Sequence, residues 1–317
     1  MARAESIYVV ADIHGSEVCW RKFLNAAKFY GVDTVVVAGD LTGKALVPLV
    51  EGADGRVQAR IAGRLQVART EAEIAELETR IRFNGFYPYR CDERAYAELD
   101  ADPTHRDEVF TAVMAQTLRD WLALADERLH GTGIRAIVLP GNDDGWYVDD
   151  VLGESAEIVN SDGRVIQLPE FQMLGFGPSN RTPWHTTREL DEDEIERRLT
   201  ALEVQIDPDK PLVVATHVPP YGSTLDVAPK LREDLSIVIE GGETVMAPVG
   251  SAAVRTFLER RQPMLSLHGH IHESRGAVRV GGTLAVNPGS AYSTGALFGG
   301  IVTVKGGRVL SHQLVTG

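Results

Sequence analysis

Two short motifs near opposite ends of the chain carry residues that bind metal ions. Asp12-Ile13-His14 lies near the start and His270-Ile271-His272 near the end. Residues two apart in an extended segment share a face, so each motif would present two side chains together. Carboxylates and neutral imidazoles without a thiolate are typical ligands of Mn, Fe or Zn, whereas Mg and Ca prefer mostly oxygen. Either pair alone is weak evidence, because a lone histidine at a strand end is more often structural.

Three further polar blocks follow short apolar runs. Gly39-Asp40 follows residues 34–38, Gly141-Asn142-Asp143-Asp144 follows 134–139, and Thr216-His217 follows 212–215. The run 7–11 precedes Asp12, and 264–267 precedes the last motif. Each run has the length and composition of a buried strand. The chemistry-bearing residues are therefore expected at strand ends.

The first forty residues predict a βαβ unit. An apolar run at 7–11, a helical pattern near 17–30 and a second apolar run at 34–38 fit parallel strands buried on both faces. In open α/β sheets, ligands bind beyond the carboxyl ends of the strands. Residues spread over about 260 positions are thus expected to converge on one site.

In this order the five blocks resemble the calcineurin-like metallophosphoesterases. The family pattern is Asp-x-His, Gly-Asp, Gly-Asn-His-Asp or Glu, a lone His and Gly-His-x-His, and the match spans about residues 7–290 apart from an inserted region. The resemblance implies an α/β fold, a four-layer αββα sandwich with mixed sheets and a helical and hairpin insertion. It also implies a two-metal centre. Asp12, His14 and His272 would hold one ion, Asn142, His217 and His270 the other, and Asp40 would bridge both.

The implied activity is hydrolysis of a phosphodiester or phosphomonoester, with the diester favoured. Two divalent ions about 4 Å apart activate a shared water and neutralise charge in an in-line displacement. Mn is expected, with Fe or Zn as alternatives. Asp40 and Asp143 are the candidate catalytic residues. The other reading is a weakly active or non-catalytic interaction scaffold of the same fold.

Asp143 is the one departure from the family pattern. The resemblance places there a histidine that protonates the leaving oxygen. A carboxylate beside two cations is ionised at neutral pH and cannot donate a proton. We therefore expect general-acid catalysis to be weak. The alternative is that Asp143 only forms hydrogen bonds in a site that still works through metal activation.

Residues 44–133 are expected to form an insertion or cap within a single domain spanning 1–317. Segments 46–50 and 57–61 predict a hairpin, and Thr70-Glu71-Ala72-Glu73 has capping-box spacing for a helix to about Phe83. Asp102-Pro103 starts a longer helix that ends before Gly131. This insertion could select the substrate, or it could pack on the domain without any role in the chemistry; the sequence leaves both open.

The later segments predict a solvated helix start and a second sheet. Six carboxylates at 189–196 favour an exposed helix N-terminus over a metal cluster. Ser251 is expected to cap a helix at 252–261. Runs near 277–280, 284–286, 300–304 and 309–314 suggest antiparallel strands that close the second sheet.

Candidate substrate contacts are fewer and weaker. Asn142, Arg181 and His185 are the candidates for substrate binding, with Asn180 and Trp184 in the same loop, although a plain surface loop fits as well. Gly15 would allow a phosphate to approach the backbone. His268 is outside the motif, so a structural or supporting role is expected.

Composition limits the class of partner. The 317 residues include 32 basic and 45 acidic side chains, a formal charge of −13. This charge argues against a broad nucleic-acid footprint, so a small phosphoester is the expected partner. Two cysteines are too few for a disulfide scaffold, and no signal peptide or membrane segment is evident, so a cytoplasmic location is expected. The oligomeric state is open.

Overall fold

The computed structural model describes residues 3–317. The strands are β1 Glu5–Val10, β2 Thr34–Ala38, β3 Leu46–Glu51, β4 Val57–Ile61, β5 Arg64–Ala68, β6 Tyr87–Asp92, β7 Arg135–Leu139, β8 Ile158–Asn160, β9 Arg164–Gln167, β10 Gln172–Phe176, β11 Ser179–Asn180, β12 Glu189–Leu190, β13 Leu212–Thr216, β14 Val227–Pro229, β15 Ile239–Glu240, β16 Glu243–Thr244, β17 Met246–Pro248, β18 Leu265–Leu267, β19 Gly276–Val280, β20 Thr283–Asn287, β21 Phe298–Lys305 and β22 Arg308–Thr316. The helices are α1 Glu17–Tyr30, α2 Glu71–Phe83, α3 Glu93–Ala101, α4 Pro103–Leu129, α5 Tyr147–Leu152, α6 Glu192–Leu202 and α7 Ala252–Arg261.

The first sheet has the strand order β22-β21-β1-β2-β7-β8. β1, β2, β7 and β8 are parallel, β21 pairs antiparallel with β1, and β22 pairs antiparallel with β21. The predicted βαβ unit is present. Its helix α1 begins after Ser16, whose hydroxyl accepts a hydrogen bond from the Cys19 amide, and ends at left-handed Gly31.

The second sheet has the order β10-β13-β18-β20-β19. Its first four strands are parallel, and β19 pairs antiparallel with β20. On its outer face lie α6 and α7. The predicted cap of α7 is confirmed, because the Ser251 hydroxyl accepts from the Val254 amide.

Alternate residues along each central strand enter different apolar layers. In β1, Tyr8 and Val10 pack in one core with α1 and α4. Ile7 and Val9 lie instead between the two sheets. Leu174 and Phe176 of β10 enter the third core with α6 and α7. This alternation produces helix, sheet, sheet and helix layers, which confirms the predicted α/β sandwich.

The prediction that all four final strands close the second sheet is wrong in part. β19 and β20 do join it, but β21 and β22 belong to the first sheet. There β21 pairs with β1, with Glu5 opposite Val304. This pairing joins segments almost 300 residues apart, and the local glycine and strand pattern carries no information about the partner strand.

The segment 44–133 contains a small sheet of its own, in the order β5-β4-β3-β6. The predicted hairpin of β3 and β4 is present, and the capping box of α2 is complete between Thr70 and Glu73. α4 reaches from this small sheet to the main sandwich. Its side chains Leu118, Trp121 and Leu122 pack in the main core with α1. The end of the expected insertion is therefore part of the outer helical layer of the sandwich.

The acidic segment before α6 is less solvated than its composition indicates. Glu189 is only 5% exposed, and its carboxylate accepts hydrogen bonds from the backbone and hydroxyl groups of Thr182 and Thr186. Glu192 accepts from the Ser251 hydroxyl and the Ala253 amide at the start of α7. No helix within residues 3–317 combines the length and apolar character needed to span a membrane.

Candidate metal centre

The candidate ligands meet where the parallel strands of both sheets end. Asp12 follows β1, Asp40 follows β2 and Asn142 follows β7. From the second sheet, His217 follows β13 directly and His270 follows β18. The two stacked sheets thus bring side chains that are far apart in sequence to one edge, as the strand-end argument predicts.

Left-handed backbone turns aim several of these side chains. Asp12, His14, Asp40 and His270 have φ values of 53°, 38°, 54° and 69°. The expectation that each motif is an extended segment is therefore wrong, although Asp12 and His14 do face the same cluster. The turns are held by backbone hydrogen bonds, from the Asp12 amide to the Gly39 carbonyl and from the His14 amide to the Asp40 carbonyl, each 3.0 Å.

Asp12, His14 and His272 form the first group. The Nε2 atoms of His14 and His272 lie 3.1 Å apart, and Asp12 Oδ1 lies 3.6 Å from His272 Nε2. The Asp12 carboxylate also accepts the His270 amide at 2.9 Å, which fixes its orientation. The three side chains offer one ligand atom each within a space that would hold an ion.

Asn142, His217 and His270 form the second group. Asn142 Oδ1 lies 3.0 Å from His217 Nε2 and 2.7 Å from His270 Nδ1. His217 Nδ1 donates to the Ala38 carbonyl at 2.8 Å, so Nε2 is the ring nitrogen that faces Asn142 and Asp40.

Asp40 lies between the two groups. Its Oδ2 is 3.6 Å from His14 Nε2 and 3.3 Å from His217 Nε2. Its Oδ1 accepts the Asp143 amide at 3.0 Å. Asp40 is thus the side chain placed to contact ions in both groups.

Burial and mutual charge set the protonation of these ligands. Burial alone would lower the pKa of His217, but the carboxylates of Asp40 and Asp12 raise it to about 10. Burial raises the pKa of Asp40 to about 6 despite the opposing charge of His217. Burial lowers the pKa of His14, and that of His270 to about 3. The last two imidazoles are therefore neutral and carry free lone pairs.

The donor set fits divalent transition metals. Ligand atoms about 2.0–2.2 Å from one ion lie roughly 3–3.5 Å apart. The His14–His272 and Asn142–His217 contacts, 3.1 Å and 3.0 Å, have this spacing. Carboxylate, imidazole and amide donors are the chemistry expected for such ions, and the clusters Asp12, His14, His272 and Asp12, Asp40, His217 could each hold one.

Asp144 supports the site in a way that sequence analysis missed. It is fully buried, and its two carboxylate oxygens accept the amides of Leu41, Thr42 and Gly141 and the Thr42 hydroxyl at 2.7–3.0 Å. The loop that carries Asp40 is thereby joined to the loop that carries Asn142. A second carboxylate directly after Asp143 was the available signal.

Lys44 is the second residue that sequence analysis did not select. Its Nζ lies 2.5 Å from Asp143 Oδ2, and Asp143 Oδ2 is 3.7 Å from His14 Nδ1. Burial alone would lower the pKa of Lys44, but the Asp143 charge raises it, so the lysine remains cationic. The position where the family pattern has histidine thus holds a carboxylate paired with lysine. Nothing in the spacing of residue 44 indicates this contact.

Of the remaining residues selected from the sequence, Arg181 lines the cleft above the candidate metal ligands, whereas His185 does not. The Arg181 guanidinium pairs with Asp191 at 2.9 Å. His185 is exposed and is absent from the cleft lining among residues 3–317. A methyl group on Gly15 would lie 2.6 Å from the Gly85 carbonyl, so its missing side chain admits the 44–133 segment. His268 is buried against Thr216, as a structural residue would be.

The layer order of helix, sheet, sheet and helix is the one that the resemblance implies, and the residues of the five sequence blocks meet at one edge of the two central sheets. Comparisons with known proteins agree at the level of fold. A solved structure of TT1561 from Thermus thermophilus is 15% identical, aligns over 99% of both chains and has a TM-score of 0.54. Another solved structure is 16% identical over 99% of both chains, with a TM-score of 0.58.

In sequence, the chain is similar to the uncharacterized protein MJ1162 of Methanocaldococcus jannaschii. The two are 30% identical over 157 residues, which are 49% of this chain and 64% of that protein. The match thus covers less than two thirds of the relative. No protein-family model matches the chain.

Proposed function

We propose that the protein is a phosphoesterase that uses two divalent metal ions and prefers phosphodiesters, with Mn as the working ion. The observation that carries this proposal is the convergence of the seven candidate ligands. Their facing donor atoms lie 2.7–3.6 Å apart at one sheet edge. Asp12, His14 and His272 would hold one ion, and Asn142, His217 and His270 the other. Asp40 would contact both.

Two bound ions would activate a water and neutralise the charge of a phosphoryl group during displacement. The protein contributes by placing their ligands. Asp40 sets the separation of the two sites, and the Ala38 carbonyl fixes the His217 tautomer. Lys44 adds a cation at the rim of a chain whose formal charge is −13. Because Lys44 is paired with Asp143, the two divalent ions would supply most of the local positive charge that favours an anionic substrate.

The residues near the candidate ligands favour a diester over a monoester. The cleft lining includes the carboxylates of Asp40, Asp143 and Glu273. A phosphodiester carries one negative charge, whereas a monoester near neutral pH carries close to two. Asp143 and Glu273, which this proposal does not assign to an ion, would repel the second charge, and Lys44 already has Asp143 as its carboxylate partner.

The test is metal reconstitution followed by hydrolysis assays. Protein loaded with Mn should bind close to two equivalents and hydrolyse bis(p-nitrophenyl) phosphate faster than p-nitrophenyl phosphate. Asp40→Ala should lose one or both ions and reduce turnover by a factor of 100 or more. Asp54→Ala is the matched control, since Asp54 is an exposed aspartate in the loop between β3 and β4.

Absence of metal binding would contradict the proposal outright. Two bound ions with no hydrolysis of either ester would favour the interaction scaffold. A parent rate that Asp40→Ala leaves unchanged would place the activity elsewhere.

A further inference from the structure

A cleft of about 680 Å³ rises from the candidate ligands. Its floor holds Asp40, Asn142, His270 and His272, with Lys44 beside them. Its walls come from the loop 181–186 and from the segment 228–249. Within residues 3–317, Lys44 is the one residue of the 44–133 segment that lines it. The two walls, and not the insertion, therefore define what can reach the floor.

Most of the wall residues are apolar although they face solvent, and Arg181 and Lys230 are the charged ones. Trp184 is 62% exposed and Ile237 is 46% exposed, and Leu231 lies beside them in the lining. These three side chains belong to none of the four apolar cores found in residues 3–317. Apolar groups that face solvent in a concave site and do not serve the fold are typical of ligand-binding surfaces.

The two walls are attached to each other. Asn180 Nδ2, at the start of the loop, donates to the Val249 carbonyl at 3.2 Å. The Val249 amide in turn donates to the Asp226 carbonyl at 2.9 Å. At the other end of the loop, Thr186 is held by Glu189 and by Asn142 at 2.8 Å each. The apolar walls thus have a fixed relation to the candidate ligand Asn142.

We propose that this cleft recognises phosphoesters that carry an aromatic ester group. The phosphoryl group would lie over the candidate ligands next to Lys44, and the aromatic group would lie against Trp184, Leu231 and Ile237. An indole face and branched aliphatic side chains bind planar apolar groups by burial and stacking. The inference rests on the proposed function, because the anionic end of the ligand requires the metal-loaded floor.

The experiment uses two phosphonates, whose phosphorus–carbon bond this chemistry does not cleave. Binding of phenylphosphonate and methylphosphonate to the Mn-loaded protein is measured by calorimetry. The phenyl compound should bind about tenfold more tightly, because the charged ends of the two ligands match. In Trp184→Ala and Ile237→Ser the difference should shrink to about threefold or less, while methylphosphonate affinity stays unchanged. Phe29→Ala is the control, since Phe29 is an aromatic residue that is 80% exposed outside the cleft.

The outcomes separate the two proposals. Equal binding of both phosphonates by the parent protein would overturn the aromatic preference and leave the phosphoesterase proposal intact. A preference that survives both wall substitutions would also overturn it. Binding of neither phosphonate would overturn the aromatic proposal alone, because a site that favours singly charged diesters need not bind these more highly charged phosphonates; the metal-binding and hydrolysis assays decide the phosphoesterase proposal.

Discussion

Four candidate ligands have a backbone conformation that costs energy for any residue with a Cβ. Asp12, His14, Asp40 and His270 all lie in the left-handed region. Such residues persist where surrounding contacts determine them, and they cluster at functional sites. Here the contacts are hydrogen bonds between neighbouring strand-end loops. These hydrogen bonds therefore fix the direction in which the candidate ligand side chains leave the backbone.

At the residue scale, the pairing of Asp143 with Lys44 predicts a preference for good leaving groups. A carboxylate that accepts the Lys44 ammonium at 2.5 Å is placed as an acceptor and not as a proton donor to a departing alkoxide, and general-acid catalysis typically contributes 10²- to 10⁴-fold. Asp143→His should raise the rate for an alkyl phosphodiester relative to an aryl one by about tenfold or more. Steady-state kinetics on methyl and p-nitrophenyl esters, with metal content measured alongside, checks this.

The control for this substitution is Asp54→His, which adds a histidine on the surface hairpin. An unchanged alkyl-to-aryl ratio in Asp143→His, at full metal content, would mean that Asp143 does not stand in for a missing acid.

The raised pKa of His217 predicts proton release on metal binding. With a pKa raised to about 10, this imidazole is protonated at pH 8, and its Nε2 must lose that proton to bind an ion. Apparent metal affinity should therefore rise with pH, by up to about tenfold per unit below that pKa. Calorimetric titrations in two buffers of different ionisation enthalpy measure the protons released. His217→Gln should release fewer protons, whereas His130→Gln, at an exposed histidine, should match the parent. Identical heats in both buffers would refute the prediction.

At the element scale, the loop after β2 must pass close to His217. Gly39 has a φ of 108°, and a methyl group built on it would lie 1.9 Å from His217 Nδ1. Gly39→Ala should therefore displace the imidazole and weaken metal binding by about 10- to 100-fold, the range typical of lost ligand support. Gly63→Ala is a matched control, since Gly63 also has positive φ, 75°, but has open space around it. Metal titration of both variants tests this prediction. Equal metal affinities would show that the loop after β2 shifts to admit the methyl group without moving His217.

Much of the element pattern is local and therefore readable from the sequence. Caps such as Thr70 and Ser251 act within four residues, and buried strands have continuous apolar runs. The placement of β21 beside β1 depends on a pairing between the two chain ends, which no local pattern encodes. The same holds for Lys44, whose role depends on a contact with Asp143 about 100 positions later. The motif residues were identifiable, whereas their left-handed turns and supporting contacts were not.

At the scale of the whole molecule, α4 connects the 44–133 segment to the sandwich. Near its start, Phe110 contacts Tyr87 of the small sheet, with ring centroids 5.8 Å apart. Further along, Trp121 stacks on Trp20 of α1, with centroids 5.3 Å apart and an interplanar angle of 10°. The Trp20 indole also donates to the Trp121 carbonyl at 3.0 Å. One helix thus packs in both units, so we expect the sandwich to depend on it for stability.

This dependence predicts a global effect of Trp121→Ala. Trp121 is 5% exposed in the main core, and truncating a buried aromatic residue costs about 3–5 kcal/mol. The main calorimetric transition should fall by roughly 10 °C, since each kcal/mol shifts a domain of this size by about 2–4 °C. Trp184→Ala is the control, because that indole is 62% exposed and should change stability by about 0.5 kcal/mol or less. If α4 packed only with the 44–133 segment, Trp121→Ala would make that segment unfold separately at a lower temperature, and the main transition would keep its temperature. A single transition at lower temperature, with metal binding retained below it, is the result that the packing of α4 on α1 requires.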